Sequence, residues 1–382
     1  MKGNTVSTKN VIKFAGAYLA CAIGSGFATG QEIMQFFSGH GLMSLVGVAV
    51  TTLLFAWCGG MFMKHGYENQ FEEPGEIMGF YFGPKLSRFF EILFQIFLYG
   101  VYVVMIAGAG ATLSEYFGLD PMVGRVTMAA AAFFTVILGL TKLTDILGSL
   151  GTVIIVFALA VGVYSIASNL EGLRTVSTIL PTLDITKTQG GWLGSAILYP
   201  GFNAIVVMIL SCSMGRFANS SQEACRGGLL GGALFGAAIL AMNLGLLANL
   251  GEVFDKAVPT LVLADRIHPI VGLVFSVVIC CGIYTTTVPM LWGVVRHFAQ
   301  DGTKKFVLVA LVLSGLGLVL GMTDFKALVN IIYPFSGYAG VILFGFIAWR
   351  ELQGKKLGAR RPAKKAAPAY FSAAAENTVH VN

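Results

Sequence analysis

The chain has 382 residues, of which 56% are hydrophobic and 12% charged, and its mean hydropathy is +0.77. Soluble globular chains run nearer half apolar and a quarter charged. Here Asp, Glu, Lys and Arg are missing from 33–63 and again from 188–215, runs that exclude water-soluble Rossmann or barrel architectures and define an all-α, multi-pass membrane protein. The net charge of +6 says little by itself; its distribution says more.

Ten spans are predicted, at roughly 11–37, 41–63, 89–113, 122–140, 147–168, 192–214, 226–249, 269–295, 304–322 and 326–349. Residues 1–10 are polar, and the first apolar stretch is too long for a cleavable signal and lacks a cleavage site. That first span contains "AIGSGFATGQE" at 22–32. Three glycines, a serine, a threonine, an amide and an acid make a poor membrane helix. Thr29-Gly30-Gln31-Glu32 fits a capping box, so a second helix is expected to begin near Thr29. The hinge is then 23–28, with Gly24 and Gly26 tolerating its turns. Naked backbone in the bilayer survives only where it lines a cavity or is buried in protein, which makes its carbonyls and amides candidate ligands. Glu32 is the one acid of this span, and an intramembrane acid is a functional group by default. It has two roles open to it, which can coexist: capping the second helix, or holding a substrate amine or coupling proton.

Loop 64–88 can hold a short surface helix after Pro74. Span 6 contains "LYPGFNA" at 198–204. Proline removes a donor and clashes with the preceding turn, so a second break is expected there, with Asn203 capping the restarted helix. Half-helix N-termini near Thr29 and Asn203 suit a carboxylate, and carbonyls near Ile23 and Tyr199 suit an ammonium or Na⁺. On span 7, Gly228, Gly232 and Gly236 lie four apart, as do Gly317 and Gly321 on span 9; this spacing allows close helix packing. Asn243 reads as an interhelical hydrogen bond. Loop 250–268 is either a lid dipping toward a central cavity or a plain surface loop. Span 8 carries Thr285, Thr286 and Thr287, hard oxygen donors for Na⁺, unless they bond back to their own helix.

Residues 351–382 are basic, Ala-rich and then polar, and are read as a disordered tail, a solvated topology signal or a contact for anionic lipid. With both termini cytoplasmic, 19 of the 25 Lys and Arg fall inside, as the positive-inside bias requires. Two five-span halves, 11–168 and 192–350, must then enter from opposite sides, the layout of an inverted repeat. Two interrupted segments at matching places in such halves point to a transporter binding site. The six cysteines lie in spans or at a helix start and suit packing, not disulfides or a metal site.

The stretch "AIGSGFATGQE", the "YPGFNA" of span 6 and the span 8 threonines resemble the YkvI-type amino acid permease family of the amino acid–polyamine–organocation superfamily. The likeness covers about 11–350 and implies a five-plus-five, LeuT-like fold with helices 1 and 6 broken. "AIGSG" is also similar to the unwound stretch of the neurotransmitter:sodium symporters. Those carry Asn and then Arg soon after the second glycine, where this chain has Phe27, Ala28, Thr29 and Gly30, so their chloride, first-sodium and arginine-gate features are not carried over. The resemblance implies a Na⁺ site from the Ala20 and Ile23 carbonyls with Thr285 and Thr286, Thr287 being the alternative if the register differs by one. It implies a substrate between the breaks, faced by Gly24, Ser25, Gly26 and Thr29 and by Tyr199, Gly201, Phe202 and Asn203. Tyr102 is either an aromatic wall of that site or a packing residue.

The function expected is secondary active import of an amino acid or related small solute with Na⁺ by alternating access, in the plasma (inner) membrane. The alternative is a nutrient-binding membrane receptor that does not accumulate its ligand. The histidines lack metal-ligand spacing and no nucleotide-binding glycine pattern follows a strand, so no enzyme activity, no cofactor other than Na⁺ as coupling ion, and no nucleic-acid partner is expected. No charge ring or filter repeat of a pore is visible.

Overall fold

The computed structural model describes residues 6–139 and 144–354, so nearly all of the tail predicted over 351–382 lies outside the described residues. Regular structure among the described residues is helical throughout. In place of one long first helix stand α1 (Thr8–Ala22), α2 (Ser25–Thr29) and α3 (Gln31–Phe36). Next come α4 (Met43–Asn69), α5 (Pro74–Phe117), α6 (Pro121–Leu138), α7 (Thr144–Ser168) and α8 (Gly172–Ile179). The second half has α9 (Gly191–Gly215), α10 (Ser221–Ala248), α11 (Leu250–Val253), α12 (Pro259–Ile267), α13 (Pro269–Phe298), α14 (Lys304–Leu320) and α15 (Phe325–Gly354). The helix expected after Pro74 is present, and it turns into the long apolar part of α5 at Gly83, whose φ of 74° needs a glycine.

Seven of these helices are long and apolar enough to cross a membrane, or eight if the pair Val153–Ser168 and Gly172–Thr182, bent by 88°, counts as one span. Ten were expected. The shortfall includes the first segment, cut into pieces too short to cross singly, and α14, whose 17 residues rise only about 26 Å.

Helices in lipid gain little from hydrophobicity between themselves, so small residues that let backbones approach do much of the joining. The α10 glycines act this way: a Cβ at Gly228 would meet the backbone of Gly59, and one at Gly232 the backbone of Phe55 and Ala56, both on α4. Asn243 of α10 joins Ser38 and Ser44, each at 2.8 Å. At the other end of α10, the Glu223 carboxylate accepts from the Ser7 N–H (3.0 Å) and the Asn10 amide (3.2 Å), tying the start of α1 to α10.

Contrary to the expected second break, α9 runs unbroken from Gly191 to Gly215 with Pro200 inside it. The reason is local. Proline deprives the carbonyl four residues back, that of Ala196, of its helical donor, and the buried Thr51 hydroxyl of α4 supplies a substitute at 2.7 Å. Thr51→Val is therefore expected to lower unfolding stability by about 1–3 kcal/mol, the cost of orphaning a buried acceptor. Denaturant titration of the solubilised protein should show this loss. Thr127→Val, which removes a hydroxyl bonded only within its own helix, should change little.

Candidate functional site

The site grows from the interruption after α1. Ile23 and Gly24 are both extended, with ψ 104° and 179°, so the last carbonyls of α1 lose the donors that a following turn would bring. Backbone bonding resumes with the Ala28 N–H donating to the Gly24 carbonyl at 3.3 Å. A second discontinuity follows at Gly30, whose φ of 77° separates α2 from α3. Thr260 of α12 closes over this point, donating to the Ala28 carbonyl, and a Cβ on Gly30 would run into it. The 250–268 segment is thus no plain surface loop: Thr260, Leu261, Leu263 and Ala264 are buried against the interior.

The capping box does not form. Gly30 caps α3 without a side-chain bond. The Thr29 hydroxyl donates to the Gly26 carbonyl at 2.7 Å and accepts from the Gln31 N–H at 3.3 Å. Glu32 turns away from the helix start, because two tyrosines offer its carboxylate better donors. Tyr199 of α9 donates to it at 3.2 Å, and Tyr333 of α15 is hydrogen-bonded to it as well. On its other side the carboxylate fills the place that a Cβ of Gly26 would take, with the Tyr333 hydroxyl 3.2 Å from that place. Phe202 stacks on Tyr333 with centroids 4.6 Å apart at 11°, and Phe36 meets the Tyr199 ring edge-on at 5.3 Å.

A second group lies on the other flank of α2. The Ser25 hydroxyl reaches Thr286 of α13 at 3.1 Å and Met105 of α5 at 2.9 Å. Thr285 and Thr286 both donate to the Gly282 carbonyl, at 2.8 and 3.0 Å, and Thr287 bonds to the Ile283 carbonyl. The back-bonding reading of these threonines is therefore realised. It uses their protons and leaves oxygen lone pairs free. Thr286 is the hydroxyl brought to the break; Thr287, fully buried, points its hydroxyl into its own helix.

The structure thus gathers Gly26, Glu32, Tyr199 and Phe202 in one cluster and Ser25 and Thr286 in another. Three expected site residues stand elsewhere. Gly201 faces α15: a Cβ there would strike the Gly337 carbonyl. Asn203 donates to the Tyr199 carbonyl of its own unbroken helix at 3.2 Å and caps nothing. Tyr102 packs into the space above Gly317 of α14 and stacks on Tyr99 at 5.8 Å; Met105, one turn on, is the α5 residue that reaches the break. Gly24 has open space at its Cβ position.

Tyr333, Met105 and Thr260 were missed by sequence reasoning. Tyr333-Pro334 does repeat the Tyr199-Pro200 pair, and both tyrosines end on Glu32, so that repetition was a usable signal. Nothing local marks Met105 or Thr260.

A discontinuous first segment held between packed helices, with polar groups gathered at its breaks, defines a multi-helix membrane protein with an interrupted span, and its fold is shared with known structures. MhsT, solved in complex with L-phenylalanine, superimposes with TM-score 0.59 at 16% identity, covering 91% of this chain and 89% of its own. The manganese transporter of Eremococcus coleocola, solved as a point mutant, gives 0.57 at 14% identity, covering 99% and 86%. At these identities the likeness is one of fold, that of the LeuT-type transporters. In sequence the chain is similar to the uncharacterised membrane protein YkvI of Bacillus subtilis strain 168, 22% identical over 341 residues, 89% of this chain and 95% of the relative. YyaD of the same organism is 27% identical over 328 residues, 85% and 92%. These are homologues of the chain, as the resemblance to YkvI-type permeases implied. No family model matches.

Proposed function

We propose that the protein is a secondary transporter that imports an amino acid or related small solute by alternating access, with Na⁺ as a coupling ion. Ten crossings in two inverted five-span halves, 11–168 and 192–350, and cytoplasmic termini complete this reading. The observation that carries it is the interruption between α1 and α2, with Ser25 held to Thr286 of α13. Extended backbone at that depth serves a ligand or is filled by protein, and here both polar side chains and free carbonyls converge on it. The cation is assigned to the Ala20 and Ile23 carbonyls with the Thr285 and Thr286 hydroxyls, and the substrate to Gly24, Ser25 and the Glu32–Tyr199–Phe202 side of the break. The fold neighbour MhsT, bound to L-phenylalanine, supports an amino-acid-like substrate.

The test is a thermal-shift series on purified protein with L-phenylalanine and other amino acids, in NaCl or choline chloride. Binding to the folded state stabilises it by about 2.7 kcal/mol at one hundred times Kd. A shift that needs Na⁺ and disappears in Thr285→Ala/Thr286→Ala is the expected result. A ligand shift of equal size in choline would overturn the Na⁺ assignment. An absence of any amino-acid shift would overturn the substrate class.

A further inference from the structure

The transport reading puts a metal cation at the threonines and the substrate beside the Glu32 cluster, but says nothing of how the charge of the Glu32 carboxyl itself is balanced. Glu32 as a residue is 7% exposed. Its hydrogen-bond donors are two tyrosine hydroxyls, both neutral. Five elements pack on α3, and each brings its own groups. The α9 helix brings Tyr199 and α15 brings Tyr333. The α2 helix brings the bare backbone of Gly26, and α10 brings the apolar ring of Phe235, which lies against Tyr199. In the turn Ser38–His40, His40 is bonded to Ser195 at 2.9 Å. Lys326, on α15, directs its ammonium to the Asp255 carbonyl at 3.0 Å. Among the described residues no cationic side chain faces Glu32.

An ionised carboxylate buried without a cation costs far more than neutral hydrogen bonds return. Something positive must therefore be taken up. The carboxylate already fills the space beside Gly26 that a Cβ would need, so no hydrated ion or ammonium group fits between the carboxylate and that backbone, whereas a proton on the carboxyl does. A protonated Glu32 can donate to one tyrosine oxygen while its carbonyl oxygen accepts from the other.

We propose that Glu32 is a second coupling site, occupied by a proton. Glu32 takes up one H⁺ when α3 closes against Gly26, and releases it to water, leaving the carboxylate, when the hinge opens. One carboxyl touches the hinge piece α2 and, through Tyr199 and Tyr333, the two helices beside it. Any movement of the hinge that separates these elements changes its hydration and so its hold on the proton. The role as a coupling site rests on the transport reading; the proton itself is detectable without substrate or Na⁺.

The experiment uses the full chain in lipid nanodiscs, in choline buffers, over a pH series. Infrared difference spectra should show a carboxylic C=O band of a poorly hydrated acid. Its loss on alkalinisation should coincide with faster hydrogen–deuterium exchange over 8–36, corrected for intrinsic exchange. Glu32→Gln keeps an acceptor for both tyrosines, and should lose both the band and the pH dependence of exchange. Tyr199→Phe should keep the band at a shifted frequency, and reads the same carboxyl if Glu32→Gln does not fold. Identical spectra for wild type and Glu32→Gln across the series would overturn the proposal. So would a band whose titration leaves exchange over 8–36 unmoved. Na⁺ added at fixed pH should leave the band in place; its loss would mean one shared site, contrary to the proposal. A missing Na⁺-dependent thermal shift bears only on the threonine site, so the two failures are separable.

Discussion

Gly26→Ala is expected to displace the Glu32 carboxyl, lower stability by about 2–3 kcal/mol and abolish ligand binding at the break. A Cβ at Gly26 would overlap the Glu32 carboxylate and lie 3.2 Å from the Tyr333 hydroxyl. The glutamate chain is flexible at its end and can withdraw, but the retreat separates it from both tyrosines, and Tyr199 and Tyr333 are themselves 0% and 2% exposed. Buried polar groups left without partners cost about 1–3 kcal/mol each. A double-mutant cycle separates this route from simple crowding of the backbone. With Glu32→Ala already present, the space is empty and Gly26→Ala should cost less than about 1 kcal/mol, whereas equal costs in both backgrounds would reject the mechanism. Gly24→Ala is the control. Its Cβ meets nothing within 4 Å, and its φ of −98° and ψ of 179° suit any residue, so its stability should stay within about 0.5 kcal/mol.

The contrast between these two glycines marks how far the sequence could be read. The interruption was legible because Gly, Ser and Thr inside an apolar run violate helix composition, and the chain does leave the helix at Ile23. Its bounds were not: only Ile23 and Gly24 of the expected 23–28 hinge are extended, Ser25–Thr29 form a helix of their own, and the next helix starts at Gln31, not Thr29. The glycine stripe of α10 and the bond from Asn243 were legible for the same reason: in lipid, small and polar residues are placed where helices meet. What could not be read is which of two partners a polar group chooses. Thr29-Gly30-Gln31-Glu32 has the spacing of a cap, yet Glu32 pairs with tyrosines that lie 167 residues away on α9 and farther still on α15. Pro200 has the form of a break, yet the orphan carbonyl of Ala196 is satisfied from α4, 145 residues distant. Local pattern reports that a backbone group is free; only tertiary structure reports who takes it.

Gly201→Ala carries the largest stability loss expected of any substitution proposed for this chain, about 3 kcal/mol or more, and bulkier residues should prevent folding. Read from sequence, Gly201 belongs to the substrate site; in the fold it is where α9 and α15 touch. A Cβ there would collide with the Gly337 carbonyl, and across the same seam a Cβ on Gly340 would collide with the carbonyl of Gly201. Unlike Glu32, a helical carbonyl cannot rotate away, so relief requires the two helices to part. Ordinary overpacking costs about 1–3 kcal/mol, and a backbone collision belongs at or above the top of that range. Parting the helices would also pull Tyr333 from Tyr199 and open the stack of Tyr333 on Phe202. The expected result is therefore a lowered unfolding midpoint that ligand does not restore. Should Gly201→Ala keep wild-type stability while losing ligand affinity, Gly201 lines the site after all and the α9–α15 seam is looser than the structure describes.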